Sequence, residues 1–279
     1  MPDSSLRLRP GNLLNPDEIF RETILLKLRG LIPWRTFDNL NKCGREEVYQ
    51  SCSDCGRFRT YYFHCDIKFC PICNWRIARK RAALLKAWTK TIQQPKHVVL
   101  TMKNFEVLTR SKIKKFKKGI CQLRRSKFFN EVTGGCVSIE ITNDTGKRSG
   151  WHLHAHLLVN VRWLDGPVLA VRWGKVIGQE FGIVKVKDCR AADYLGEVSK
   201  YVCKPAQLAG WPPETIQQFV HAIRGVRFFS TFGNLFNHTE EINLEIQKLK
   251  PPLKACACGC LKFEFSSEHS ELMKATRTH

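Results

Sequence analysis

Two neighbouring stretches of strict apolar–polar alternation constrain this chain's fold more than any other feature. In "GWHLHAHLLV", Gly150–Val159, the residues His152, His154 and His156 take alternate positions, and Leu153, Ala155, Leu157 and Val159 fill the gaps. In "GCVSIEIT", Gly135–Thr142, the residues Val137, Ile139 and Ile141 alternate with Ser138, Glu140 and Thr142. Successive side chains of a strand point to opposite faces, so each stretch predicts a strand with one apolar face. The intervening "NDTGKRSG" is rich in turn formers, which makes the pair a hairpin. If both apolar faces enter one core, Glu140 and the histidines share the other face. An acid and two or three imidazoles on one sheet surface suit a hard or borderline divalent cation.

Charge narrows the class of partner. The formal net charge of the 279 residues is +21, which favours a polyanion, because each cation that neutralises a phosphate releases counterions. A solvated basic surface is the competing reading. The apolar content, 43%, supports one substantial core with a small satellite module. No apolar run is long enough to span a bilayer, and "MPDSSLRLRPGN" lacks the apolar stretch of a signal peptide. A soluble cytoplasmic protein with no membrane partner is therefore expected.

The cysteines point to metal. There are 13, and five of them, Cys52, Cys55, Cys65, Cys70 and Cys73, lie in "CSDCGRFRTYYFHCDIKFCPIC". Two CxxC knuckles at this separation match a structural zinc site, since each knuckle places two thiolates on one side of the ion. Four of the five are expected to bind, with one of Cys52, Cys55 or Cys65 spare; buried free thiols are the alternative. An all-cysteine set leaves no open position, so the zinc would be structural. Cys256, Cys258 and Cys260 in "ACACGC" form a tighter pattern that fits no common zinc spacing and stays open.

The remaining elements follow from periodicity and caps. Asn15, Pro16, Asp17 and Glu18 open a helix that runs to about Arg29. "NWRIARKRAALLKAWTKTI" predicts a basic helix after the cysteines, with Ile77, Leu84, Leu85 and Trp88 on an apolar stripe. "KHVVLTMKN" predicts a buried strand, Thr109–Phe129 a strongly basic helix, "VLAVRWGKVIGQE" a helix and "GIVKVK" a strand. "DCRAADYLGEVSKYVCKP" predicts a helix stopped by Pro205, with Tyr194, Glu197, Tyr201 and Lys204 along one stripe. A helix to Ile223, a strand at "VRFFSTFG" and a helix ending near Lys250 complete the chain.

Two known chemistries use alternating histidines. The pattern at 152–156 resembles the histidine triad nucleotide hydrolases, where His154 would attack phosphorus without metal; that resemblance covers only these few residues. The pair His154-Ala155-His156, followed by Tyr201-Val202-Cys203-Lys204, resembles the HUH endonucleases. "HVVLTMKN", "HCDIKFCPICNWR", "EVSKYVCKP" and "VRFFSTFG" are similar, in order and rough spacing, to segments of rolling-circle replication initiators of the single-tyrosine, small-plasmid type.

That second resemblance implies an α+β fold, a central antiparallel sheet with flanking helices, preceded by the zinc module. It implies residues 1–42 as a helical arm, 43–92 as zinc module and basic helix, 93–235 as the nicking domain, and 236–279 as a C-terminal helix and cysteine-containing tail. It implies Mg2+ or Mn2+ held by His154, His156 and Glu140, with Tyr201 as nucleophile toward single-stranded or supercoiled origin DNA. Lys204 would offset developing charge, and Glu197 would direct water in the final cleavage. Glu197 stands one turn before Tyr201, where two-tyrosine initiators place their second tyrosine, so Tyr194 reads as a packed helix residue. His152 is an auxiliary. A host helicase and polymerase are the implied partners. A transposase of the same superfamily and a non-catalytic zinc-dependent DNA-binding protein are the alternatives.

Overall fold

The computed structural model describes residues 16–144, 150–180, 182–189, 204–236, 240–249 and 255–265. In chain order they form α1 (Pro16–Leu28), α2 (Trp34–Lys42), β1 (Glu47–Cys52), β2 (Phe58–Tyr62), α3 (Pro71–Thr89), β3 (Pro95–Thr101) and α4 (Arg110–Arg124). These are followed by β4 (Gly134–Asp144), β5 (Gly150–Asn160), α5 (Gly166–Ile177), β6 (Ile183–Asp188), α6 (Pro205–Gly210), α7 (Pro213–Ile223), β7 (Phe229–Gly233), α8 (Glu240–Leu249) and β8 (Phe263–Phe265).

The alternating stretches are β4 and β5, paired antiparallel at the heart of a five-stranded sheet in the order β6-β3-β5-β4-β7. Every pairing in that sheet is antiparallel. The fold is α+β, as the resemblance implies. Val137, Ile139, Ile141, Leu153, Ala155, Leu157 and Val159 all enter one core, where they meet Ile113, Phe116 and Ile120 of α4 and Leu169 and Trp173 of α5. Ile24, Leu25 and Leu28 of α1 and Phe219 of α7 belong to the same cluster. The core therefore lies on the face of the sheet away from the histidines, and α4 carries its many lysines on that side.

Among the described residues, an apolar cluster covers one end of the histidine face. Leu85 and Trp88, on the last turns of α3, pack there with Cys136 of β4, Leu158 of β5, Cys189 and Leu235. The Trp88 indole N–H donates to Asn234 Oδ1 at 3.1 Å. Helices thus flank both faces, and α3 packs on the second where Leu158 replaces the histidine alternation with an apolar residue. Gly150 starts β5 at φ +112, and a Cβ there would lie 2.7 Å from the Phe105 carbonyl oxygen. Trp151 and Phe105 exchange backbone hydrogen bonds at that point. Only glycine lets the two backbones approach this closely.

Two local boundaries differ from the sequence expectation. The basic helix expected to reach Phe129 stops at Arg124, because Ser126 turns extended and its hydroxyl donates to the Leu123 carbonyl at 2.6 Å. The helix that Pro205 was expected to stop lies outside the described residues, and Pro205 opens α6, a position where its missing N–H costs nothing. α3 begins three residues early, at Pro71, for the same reason. A second, three-stranded sheet in the order β2-β1-β8 joins the segment after α2 to the far C-terminal segment. The sequence pattern gave no sign of it.

Candidate active site and metal centres

Register places the expected metal ligands on one surface. Glu140 is directly opposite His154 across β4 and β5, Ser138 opposite His156 and Thr142 opposite His152. On the other side of β5, Thr101 pairs with His154 and Val99 with His156. Glu140 Oε2 lies 3.3 Å from His156 Nε2. The other ring nitrogen of His156, Nδ1, is 3.2 Å from Nε2 of His97, and the two rings stack at 5.4 Å. His154 Nδ1 is 2.9 Å from Thr101 Oγ1. His152 stacks on His154 with centroids 4.9 Å apart. Each of the two central histidines thus has one nitrogen fixed by a neighbour on β3, which orients the ring and sets its tautomer.

Electrostatics shift two members of this set, Glu140 and His154. Burial alone would raise the pKa of Glu140, but the bond to His156 and the nearby charges of His156, His154 and Lys204 outweigh it, so the carboxyl is held below its usual range. Burial, then the neighbouring His152, lowers the pKa of His154, which favours its neutral, ligating form. The donor chemistry, two imidazoles and one carboxylate with second-layer partners, fits a borderline divalent ion. Lys204, at the start of α6, is exposed and close enough to act on Glu140. Edge strand β6 places Lys185 opposite Val99 and Lys187 opposite His97, so both exposed lysines flank the same face. Tyr194, Glu197 and Tyr201 lie outside the described residues.

The five cysteines expected to share one zinc site do not come together. They are divided between two groups of four, each with its sulfurs within 4.8 Å of one another: Cys43, Cys65, Cys70 and Cys73, and Cys52, Cys55, Cys256 and Cys258. The division follows from the fold. The chain bends back after β2, so Cys65 faces the start of α3 while Cys52 and Cys55 stay at the far end of the β1–β2 hairpin. Among the described residues these are the groups of three or more ligands that close to this distance, and either could hold a metal ion.

The first group is mostly buried. Cys43 Sγ lies 3.4 Å from Cys73 and 3.6 Å from Cys70, and Cys65 lies 3.8 Å from Cys73. The Cys65 and Asp66 N–H groups point at the sulfurs of Cys43 and Cys73. The Cys65 and Cys70 thiols beside Cys43 lower its pKa to about 7, and hydrogen bonds from the other three cysteines lower that of Cys73. The fully buried Arg21 guanidinium donates to the Cys43 carbonyl, which puts a cation beside a group that becomes anionic as its thiols ionise.

With the site assembled, the comparisons can be placed on it. The profile of the replication-protein family (Rep_1) matches residues 59–164, from β2 through β5. Over that span the chain is similar to the replication proteins. A curated protein rep from Streptococcus pneumoniae serotype 2 (strain D39) is 26% identical over 89% of this chain and 86% of its own length. Another, from Staphylococcus aureus, is 31% identical over 35% of this chain, an alignment that spans 45% of that protein. No solved structure matches. These matches support the resemblance to rolling-circle replication initiators.

The replication-protein match contains Glu140, His154, His156 and three of the four cysteines of the first group, and it ends before Lys204. It also contains His97 and Thr101, which sequence reasoning passed over because their partners are set by strand register rather than by spacing. Cys43 was missed for a related reason, as no CxxC pair includes it. No helix among the described residues is long and apolar enough to cross a membrane.

Proposed function

We propose that the protein nicks and rejoins single-stranded DNA at a replication origin, through a 5′-phosphotyrosine at Tyr201, to start and end rolling-circle replication of a plasmid or phage-like element. The observation that carries this reading is the face shared by Glu140, His154 and His156, with Lys204 within electrostatic reach. Mg2+ or Mn2+ bound there would polarise the scissile phosphate. His154 and His156 offer their Nε2 atoms in fixed orientation, because Thr101 and His97 engage the Nδ1 atoms. The Tyr201 oxygen attacks phosphorus and loses its proton, the bond to the 3′ oxygen breaks, and a 3′-OH is left for extension. Lys204 offsets the charge that develops, and Glu197 directs the water or strand that ends the cycle. The buried Cys43, Cys65, Cys70 and Cys73 hold a structural zinc ion.

The test is incubation with Mn2+ and labelled single-stranded DNA carrying the element's own origin. A protein–DNA adduct is expected from the wild type and from Tyr194→Phe, and none from Tyr201→Phe. An adduct formed by Tyr201→Phe would overturn the nucleophile assignment. Binding without cleavage of any cognate strand would favour the non-catalytic reading.

Lys185 and Lys187 make a second expectation. They lie on the edge strand beside the metal face, where a phosphodiester entering the site would pass. Changing both to alanine should weaken single-strand binding uniformly across sequences. It should also flatten the slope of log K against log salt by about 1.4, at roughly 0.7 per phosphate contact. An unchanged slope in a fluorescence-anisotropy titration would place the DNA elsewhere.

A further inference from the structure

We infer that the chain binds a second zinc ion, at Cys52, Cys55, Cys256 and Cys258, and that this ion clips the C-terminal segment onto the β1–β2 hairpin. The inference does not rest on the nicking activity. Both halves of the site are shaped for a metal. Cys52 ends β1, and its N–H donates to the Arg57 carbonyl at 2.8 Å while the Gly56 N–H donates back to the Cys52 carbonyl at 2.9 Å. Gly56 holds φ at +68, which closes this turn. The backbone N–H groups of Cys55 and Asp54 are aimed at the Cys52 sulfur, and that of Arg57 at the Cys55 sulfur.

The second half is a similar tight turn. Cys256 N–H donates to the Cys260 carbonyl and Gly259 N–H to the Cys256 carbonyl, both at 2.8 Å, with Gly259 at φ +89. The Cys260 N–H is aimed at the Cys258 sulfur. The two halves then face each other. Cys52 and Cys258 sulfurs are 3.6 Å apart, Cys55 and Cys256 sulfurs 3.4 Å apart, and all four lie within 4.8 Å of one another. A tetrahedron with Zn–S bonds of about 2.3 Å has edges of about 3.8 Å. Four soft thiolates select zinc over Mg2+ or Mn2+, and they leave no position open for catalysis. Cys260 lies outside the group of four whose sulfurs close to within 4.8 Å.

The register explains why a CxC can serve where a second CxxC is usual. β8 runs antiparallel to β1 with Cys52 opposite Phe263, so the turn that precedes β8 is delivered to the knuckle at the end of β1. Ser53 donates twice to the Lys262 carbonyl, from its N–H and its hydroxyl, and the Arg59 guanidinium lies 3.5 Å above the Phe263 ring. These contacts are few. A three-residue strand some 200 residues from its partner in sequence carries a closure entropy that a further tie would offset. A tetrathiolate ion supplies that tie. Cys55 and Cys258 are exposed, whereas three of the four ligands of the first group are buried, so the second ion exchanges more readily.

The experiment is a zinc count on the purified full chain under reducing conditions. Two ions are expected in the wild type and in Cys260→Ser, and one in Cys256→Ser/Cys258→Ser. A mild chelator should remove one ion quickly and one slowly. Trypsin cleavage after Lys262 should accelerate by roughly tenfold once the first ion is gone, as expected when a local structure opens. A single ion in the reduced wild type that the double variant keeps, two ions in the double variant, or a loss in Cys260→Ser would each overturn the proposal. If the double variant fails to fold, alkylation of the wild type decides. Cys52, Cys55, Cys256 and Cys258 should become reactive together as the fast ion leaves, and equal reactivity of Cys256 and Cys258 with and without zinc would refute the site.

Discussion

Replacing His156 by alanine should lower Mn2+-dependent cleavage of origin DNA by about a thousandfold or more while leaving the protein folded. The magnitude follows from the several kcal/mol that a bound cation supplies to a developing phosphoryl charge, at about 1.4 kcal/mol per tenfold in rate. The fold should survive because His156 lies on the face away from the main core, and a strand-position change of this kind is worth about 1 kcal/mol or less. His154→Ala should behave the same way. The β3 partners should show a graded version. Thr101→Val and His97→Gln leave every ligand in place but release a ring, so Mn2+ affinity should fall by about 10- to 100-fold. Calorimetric Mn2+ titrations beside single-turnover cleavage rates separate the two classes. His156→Ala cutting at the wild-type rate would remove the metal site from the mechanism.

The same site has an expected pH response. His154 must be neutral to bind a cation, and its pKa is depressed from the ordinary 6.5. Glu140 must be ionised, and its pKa is also depressed. Both shifts move the acid limit set by these two groups toward lower pH. His154→Asn, which removes the titrating imidazole, should therefore change the acid limb of the Mn2+-affinity profile, and an unchanged limb would show that His154 does not set it.

The hairpin and its two faces were legible because strand alternation is local, and every side chain of β4 and β5 from Val137 to Val159 that could be assigned to the core is there. Glu140 could be placed on the face of the histidines on the same grounds, whereas its position opposite His154 is set by register. His97 could not be placed, because its contact with His156 depends on how β3 aligns with β5, which no short pattern encodes. The cysteines show the limit differently. Five close thiols invite one site, yet the ligands are completed by Cys43, 22 residues before Cys65, and by two cysteines some 200 residues beyond the first knuckle. Sequence proximity is a poor guide when a metal joins distant segments. The helix expected to carry Tyr201 remains a reading of its periodicity and of the family resemblance.

Replacing Cys73 by serine should have the largest effect on stability, leaving the chain largely unfolded at 25 °C. Cys43 follows α2, Cys65 follows β2, and Cys70 and Cys73 sit at the cap and first turn of α3, so one ion would tie three segments together. Cys43, Cys70 and Cys73 belong to the main core cluster with α1 and the sheet, and Arg21 of α1 is bonded to the Cys43 carbonyl. Damage there therefore spreads into the core. Structural zinc sites contribute apparent binding energies of about 10–16 kcal/mol at neutral pH. Whole domains are stable by only about 5–15 kcal/mol, so the loss of this ion exceeds or equals the entire margin. Thermal unfolding followed by circular dichroism should show no cooperative transition for Cys73→Ser, and excess strong chelator should abolish the wild-type transition slowly. The exposed group sets the contrast, since Cys256→Ser/Cys258→Ser should keep a cooperative transition. A wild-type melting curve for Cys73→Ser would mean that the buried thiols are packing residues and that the core holds without metal.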